Sequence, residues 1–402
     1  MPMRMKKLNK LAFFIVVLFI FFFIFAGKKI FRSFTENKKE YQYLSLFSEV
    51  TSLVKTDYVE KVKPGAKFPG AYSAMLGALD KFSAYLDTGK TGIYRLYRQG
   101  SAYECGIYGS KISNYFYITG VAKNSTAEAA GLKPGDIIKA VNGKSIYSLS
   151  FWEMYLSLLT NKPGTIEIVL LKNRTTKASK INLKTQRTGE GPIVKKIEPG
   201  ILLVDLSRID RERVTALKRE LGEAAAQHPF KLIIDLRKYN GGDLESFVRL
   251  TKLFFNQTIP LTLKLKHKKE TFLLGANANE ALTYHAVVVV NKSTMMYGEL
   301  LAYLFKTFQT PERPAAVTLI GSKTRGFISK LKHIPLDDGS SILLTEGLFL
   351  LKGKNPAKTG VTPDVKIKET DAAKIIDRGI SILTNNRKKN PDKTHDQDQE
   401  KT

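Results

Sequence analysis

Thiols and imidazoles are scarce in this sequence. The single cysteine, Cys105, excludes a disulfide within the chain, a cysteine zinc site and an iron–sulfur cluster. The five histidines, His228, His267, His285, His333 and His395, never fall at metal-ligand spacing. No metal and no cofactor is therefore expected. Acidic residues are also few: 37 Asp and Glu stand against 64 Lys and Arg, a formal charge of +27. No internal repeat is present, and only one long uncharged apolar run occurs, which excludes a polytopic membrane protein. With 43% hydrophobic and 25% charged residues, the composition is that of a globular chain. Its 402 residues leave room for two or three domains.

The basic excess points to nucleic acid, anionic lipid or acidic substrates as partner classes. No basic helix and no zinc-finger spacing accompanies it, so no nucleic-acid partner is expected. The densest run, Lys264, Lys266, Lys268 and Lys269, alternates with Leu263 and Leu265 as a half-solvated strand does. Lysines on such a strand protect an edge from pairing with another chain. A surface that binds anionic lipid or polymer stays open as an alternative function.

The apolar run is Leu11–Gly27, about 25 Å of helix at ~1.5 Å per residue. A cleavable signal peptide needs small residues before its cleavage site. Ile24 and Phe25 would stand at those positions, so an uncleaved single-pass anchor is expected. Arg4, Lys6, Lys7 and Lys10 before the run and Lys28, Lys29 and Arg32 after it set only a slight orientation preference.

Tyr41–Leu86 has helical spacing, through Leu46, Val50, Leu53 and Val54 and then Met75, Leu76 and Leu79. Residues from about 103 to 172 read as short strands separated by Pro134-Gly135, Asn142-Gly143 and Pro163-Gly164, with one helix at Phe151–Leu159. From about residue 200, strands (Ile201–Leu206, Leu232–Leu236, Ala286–Val290, Val317–Ile320) alternate with helices (Arg211–Ala226, Leu244–Phe255, Gly298–Phe308). That alternation predicts parallel βαβ units. The expected division is 1–33 cytoplasmic stub and anchor, 34–98 helical segment, 99–176 β-rich module, 177–384 βαβ core and 385–402 polar disordered tail.

The stretch Ala130-Gly131-Leu132-Lys133-Pro134-Gly135-Asp136-Ile137-Ile138, continued by Ala140-Val141-Asn142-Gly143, resembles the signature of PDZ domains. In that family, backbone N–H groups of a tight loop hold the C-terminal carboxylate of a peptide, which adds as a strand to the sheet edge. The resemblance places that loop at Gly106, Ile107, Tyr108 and Gly109, with Trp152 and Tyr155 on the helix that lines the groove. Tyr108 stands where bacterial relatives commonly have a second glycine. If the position required a positive φ, tyrosine would cost about 1–2 kcal/mol. Phe151–Leu159 equally suits core packing, and an occluded groove is the competing reading.

The remainder resembles the C-terminal processing peptidases, the tail-specific serine proteases. Leu79–Asp87, Ile234-Asp235-Leu236-Arg237 with Asn240-Gly241-Gly242, Val288–Glu299 and Gly321–Gly326 carry the resemblance, in the family's own order. It implies a mixed α/β fold with a βαβ core like those of ClpP and crotonase, an inserted PDZ domain and an extracytoplasmic location on the inner or cytoplasmic membrane. Its members use a Ser–Lys dyad, in which a lysine kept neutral by burial takes the serine proton. Here Met296 occupies the serine position, Phe327 the lysine position, and Leu331 the place of a glutamine four residues later. The oxyanion hole that the family builds from backbone N–H groups corresponds to Tyr297 with Gly241 or Gly242.

A non-catalytic protein is therefore expected, binding C-terminal tails of partner proteins as a scaffold or regulator. An active peptidase relative or a second copy of the chain are the other partners considered. The alternative is a serine endopeptidase with a rearranged site. Its candidate nucleophile is Ser293, with Lys292, Lys323 and Lys330 as the nearest amines, although serine just before a helix is first of all an N-cap or a loop residue. Cys105, at the entry to the loop, reads as a buried structural thiol.

Overall fold

The computed structural model describes residues 42–60, 64–172, 175, 177–187, 193–225, 230–238, 241–275, 284–308, 317–355, 359–368 and 372–385. The expected anchor, the loop around Gln309–Pro314 and the tail beyond Asn385 lie outside them. Among the described residues no helix is long and apolar enough to cross a membrane.

Two compact units divide at Gly70. In the first, helix α1 covers 42–57 and α2 (Pro64–Leu79) begins. The apolar residues of α1 that recur at helical spacing, among them Leu46, Val50 and Leu53, are exposed.

The second unit, from Ala71 onward, holds the rest. The helical stretch expected through Leu86 ends at Leu79, because Asp80 turns the chain by accepting the Phe82 and Ser83 N–H groups, both at 2.7 Å. β1 (Ala84–Leu86) follows, then α3 (Thr88–Arg98), which Asp87 caps by accepting the Lys90 N–H.

A β-rich module comes next. It comprises β2 (Tyr103–Glu104), β3 (Ile107–Ile112), β4 (Tyr115–Val121), the short α4 (Thr126–Ala129), β5 (Ile137–Val141), β6 (Lys144–Ser145), α5 (Phe151–Leu156), β7 (Leu159–Thr160), β8 (Thr165–Leu171) and β9 (Ala178–Lys184). The sheet runs β3-β4-β5-β8-β9, with β6 on β5, and β2 pairs separately with β7. β8 alternates as a half-buried strand should: Ile166, Ile168 and Leu170 face the core. The module passes the boundary expected at residue 176, since β9 pairs with β8 along its whole length. Its polar, lysine-rich sequence hid a strand solvated on one face.

The core begins with β10 (Val194–Glu198), β11 (Ile201–Asp205), α6 (Arg211–Ala225), β12 (Phe230–Asp235), α7 (Leu244–Phe254) and a hairpin, β13 (Ile259–Leu265) with β14 (Lys269–Leu274). It continues through β15 (Tyr284–Val290), α8 (Met296–Thr307), β16 (Val317–Gly321), β17 (Ser329–Pro335), β18 (Ser341–Leu351), β19 (Val365–Lys366) and α9 (Ala372–Asn385). The main sheet has the order β10-β11-β12-β15-β16-β19 and is parallel except at β10.

Helices cover both faces of this sheet, which explains why β15 is almost continuously apolar. Ala286, Val288 and Val290 join the large core with α6, α7 and α8, whereas Val287 and Val289 face Ile375 and Leu383 of α9. A second sheet, β1-β18-β13-β14 with β17 on β18, is antiparallel. β14 is its edge. The strand that carries Lys264 between Leu263 and Leu265 is β13, which pairs on both sides, with β14 and β18, so Lys264 does not guard an edge. Lys268 in the turn pairs with Glu270 at 2.6 Å.

Candidate functional site

The site is built where β15 runs into α8. The chain turns sharply at Asn291: its side-chain oxygen accepts the Ser293 N–H at 2.8 Å, and its carbonyl accepts the Thr294 N–H at 3.1 Å. The buried Thr294 hydroxyl donates to the Leu236 carbonyl at 2.9 Å, tying the turn to the end of β12. Met295 is the N-cap of α8 and offers no side-chain cap. Met296 then takes φ +52°, the left-handed region that costs a side-chain-bearing residue about 1–2 kcal/mol. A methionine thus holds a backbone shape associated with nucleophile turns, in which strain exposes a side chain at a strand-to-helix corner.

The second segment follows β16. Glu299, fully buried on α8, organises it. One carboxylate oxygen accepts from the Thr324 hydroxyl and from the Gly326 N–H at 2.7 Å, and the other accepts the Phe327 N–H at 2.6 Å. Thr324 also receives the Val361 N–H at 2.7 Å. Burial pushes the Glu299 carboxyl above its ordinary range, and these hydrogen bonds with the Arg325 charge offset part of the shift.

The two segments meet, for the Met296 N–H donates to the Phe327 carbonyl at 2.6 Å. Met296 and Phe327, the positions that the resemblance equates with a serine and its lysine, therefore adjoin through their backbones, although they lie far apart in sequence. What they carry is apolar. Phe327 is 1% exposed and stacks on Phe82 with ring centroids 3.4 Å apart and planes 11° from parallel. Leu331 is half-buried on β17 opposite Thr345 and packs on the same core. A thioether has no proton to give up, and a phenyl ring takes none.

Ser293 is nearly buried, and its hydroxyl bonds the hydroxyl of Thr119 on β4. An alcohol is no base at neutral pH. Lys330 pairs instead with Glu346 at 2.8 Å, and Lys323 is exposed. Of the two structural roles expected for Ser293, N-cap or loop, it takes the second: it lies in the turn before α8, and Met295 holds the N-cap position.

Gly241 and Gly242 adopt φ +148° and +147°, conformations that only glycine enters readily. Next to them Arg237 grips Asp235 through two contacts, Nε to Oδ1 at 3.0 Å and Nη2 to Oδ2 at 2.8 Å. Burial acts to raise the Asp235 pKa, but the Arg237 charge and hydrogen bonds prevail and hold it below the usual carboxylate range. Its contribution to stability is therefore present above the unfolded pKa of ~3.9 and is lost as pH falls through the lower folded value. Replacing Arg237 by alanine leaves a buried carboxylate unpaired. The expected loss is about 3–5 kcal/mol in unfolding free energy by urea denaturation, smaller in acid.

In the β-rich module, the left-handed residue of the loop is Gly106, at φ +83°, whereas Tyr108 does not adopt a positive φ and pays no such strain. Ile107 is buried, and Gly109 admits no Cβ against the Phe116 ring. Trp152 and Tyr155, expected to line an open groove, are only 2% and 4% exposed. Tyr94 and Tyr97 of α3 lie edge-on to Trp152 at 5.8 and 5.9 Å, and Tyr97 packs on Tyr155 at 5.7 Å. Core packing accounts for both aromatics, and helical spacing alone had no means of separating that role from groove lining. Cys105 is a buried thiol whose pKa burial pushes up to about 12.

Two contacts escaped the sequence. Arg325 places its guanidinium 4.1 Å from the Phe151 ring centroid and donates to the Lys111 carbonyl on β3 at 3.0 Å. Thr119 reaches Ser293 from the other module. Neither pairing has a local signal.

Comparison with known proteins finds two separate profiles along the chain. The profile of Peptidase family S41 matches residues 200–367, and that of the PDZ domain matches residues 117–169. The carboxy-terminal processing protease CtpA of Bacillus subtilis is 27% identical over 342 residues, covering 80% of this chain and 68% of that protein. The chain is thus similar to the C-terminal processing peptidases, with the S41 profile on residues 200–367 and a PDZ profile before it. A probable CtpA-like serine protease of Staphylococcus saprophyticus is 26% identical over 295 residues; the match covers 72% of this chain but only 58% of that relative. The solved photosystem II D1 C-terminal processing protease superposes with a TM-score of 0.60 at 21% identity, over 80% of this chain and 86% of that one, which shows the shared fold.

Proposed function

We propose that this family member has lost peptidase chemistry and serves as a membrane-anchored, extracytoplasmic binder of C-terminal tails, a scaffold or regulator. The observation that carries the reading is the meeting of Met296 and Phe327 at 2.6 Å, backbone to backbone, with a thioether and a stacked phenyl where a nucleophile and a base are required. Tail binding draws support from the PDZ match and from the position of β3, which stands at the edge of its sheet and offers backbone groups to an added strand. A peptide entering along β3 meets Arg325 at the Lys111 carbonyl. The anchor rests on Leu11–Gly27 alone.

The test uses immobilised peptides with apolar C-terminal tails, free or amidated. Binding to the free carboxylate is expected at least about tenfold tighter, the loss anticipated when a charge-assisted hydrogen bond is removed. Equal binding of both forms would exclude carboxylate recognition. Deleting residues 1–33 should release the chain from membranes into the soluble fraction.

A further inference from the structure

A polar cavity of about 430 Å³ lies at the carboxyl ends of β11 and β12, the end of a parallel sheet where ligands are commonly held. It is lined by Glu104 and Tyr108 of the β-rich module, by Tyr97 and Gly100 at the end of α3, and by Asp205 and Lys238 of the core. Five cations reach it: Lys123, Arg187, Arg208, Arg213 and Lys238. Only two carboxylates oppose them, Glu104 and Asp205. Two of the guanidinium groups are held in place. Arg208 is fixed by Asp210 at 2.8 Å, and Arg213 donates to the Asp205 carbonyl at 3.1 Å. Gly100 makes room for Arg208, since any Cβ there would strike the guanidinium. Planar forks of this kind match carboxylate and phosphate oxygens.

A second, independent observation points to a ligand. The Tyr97 hydroxyl is buried and has no hydrogen-bond partner among the described residues. Its ring is locked by Trp152 and Tyr155, and the phenol lies within electrostatic reach of Glu104 and Arg208, both of them lining groups. Burial raises its pKa, so it keeps its proton and remains a donor. It stands 4.0 Å from the point where Gly241 would carry a Cβ, which sets the cavity beside the glycine loop. An unpaired buried donor facing a basic cavity is an anion contact waiting for its acceptor.

We infer that this cavity binds a small, multiply charged oxyanion, carboxylate or phosphate, with one oxygen on Tyr97 Oη and the others on the Arg and Lys side chains. The cavity borders the expected tail-binding loop at Tyr108. Its anion contacts, Tyr97 and the Arg and Lys side chains, lie outside that loop, so the inference stands whether or not tails are bound.

The test titrates the purified full chain with inorganic phosphate and, separately, with citrate, at matched ionic strength. Calorimetry and melting temperature are the readouts. One of the two anions is expected to saturate, and which one does so distinguishes the phosphate source from the carboxylate source. Tyr97→Phe removes only the unpaired hydroxyl and keeps the ring packing. It should melt at or above the wild-type temperature and bind the anion about tenfold more weakly. Lys238→Gln should also weaken binding and flatten its dependence on salt. Failure of both anions to saturate would overturn the inference. So would unchanged binding in both variants, or a lower melting temperature for Tyr97→Phe, which would mean that the hydroxyl already has a partner.

Discussion

Replacing Phe327 by lysine, the residue that the family's chemistry calls for, is expected to unfold the site rather than restore it, at a cost of about 3–5 kcal/mol. The Phe327 ring lies 1% exposed and face to face with Phe82. Arg325 already sets its guanidinium 5.3 Å from the Phe82 ring centroid, so an added ammonium would meet a neighbouring cation. The nearby carboxylate, Glu299, has both oxygens engaged by Thr324, Gly326 and Phe327 itself. The new charge would find no acceptor, and the stacking would be lost. Phe327→Leu keeps the site apolar and should cost much less, about 1–2 kcal/mol. The comparison is made by urea denaturation of both variants. A lysine variant as stable as the wild type would show that the cleft still accommodates a base.

Glu299→Leu should be nearly as damaging. It strands two backbone N–H groups and a hydroxyl in the interior, each worth about 1–3 kcal/mol when left unpaired, so a loss of about 4 kcal/mol is expected. Glu299→Gln keeps one acceptor oxygen and should lose less. The pH dependence gives a second handle. Burial, the largest influence, raises the Glu299 pKa above its unfolded value of ~4.3. The folded state therefore binds the proton more tightly than the unfolded state. The associated stability is complete below the unfolded pKa and is lost as pH rises through the folded one. The stability of the wild type relative to Glu299→Gln should fall across that window and level off above it. A difference that grows with pH would contradict the account.

How much of this was legible depends on whether the signal is local. The valine run of β15 and the turn residues after it announce a buried strand entering a helix, and the contact between Met296 and Phe327 joins two positions that the resemblance to the peptidases had already singled out. The antiparallel sheet of β13, β14, β17 and β18 was only glimpsed, through the lysine run, because its strands mix polar and apolar residues and lack a βαβ rhythm. Trp152 and Tyr155 carried a pattern that fits both groove and core. What decided between them was α3, whose tyrosines reach α5 only through tertiary packing. Ser293 is paired across 174 positions with Thr119, and no local pattern encodes such a contact. Glu299 was visible merely as the end of a motif, and its three donors were not.

The most direct test of lost chemistry is proteolysis. The purified chain is incubated with an unfolded protein bearing an apolar C-terminal tail, from mildly acidic to alkaline pH, beside an active family member as positive control. Mass spectrometry then follows the fragments. The account predicts an intact substrate at every pH in the presence of this chain. Fragments that form with the wild type and vanish with Ser293→Ala would contradict it, because they would mean that Ser293 leaves Thr119 and finds a base.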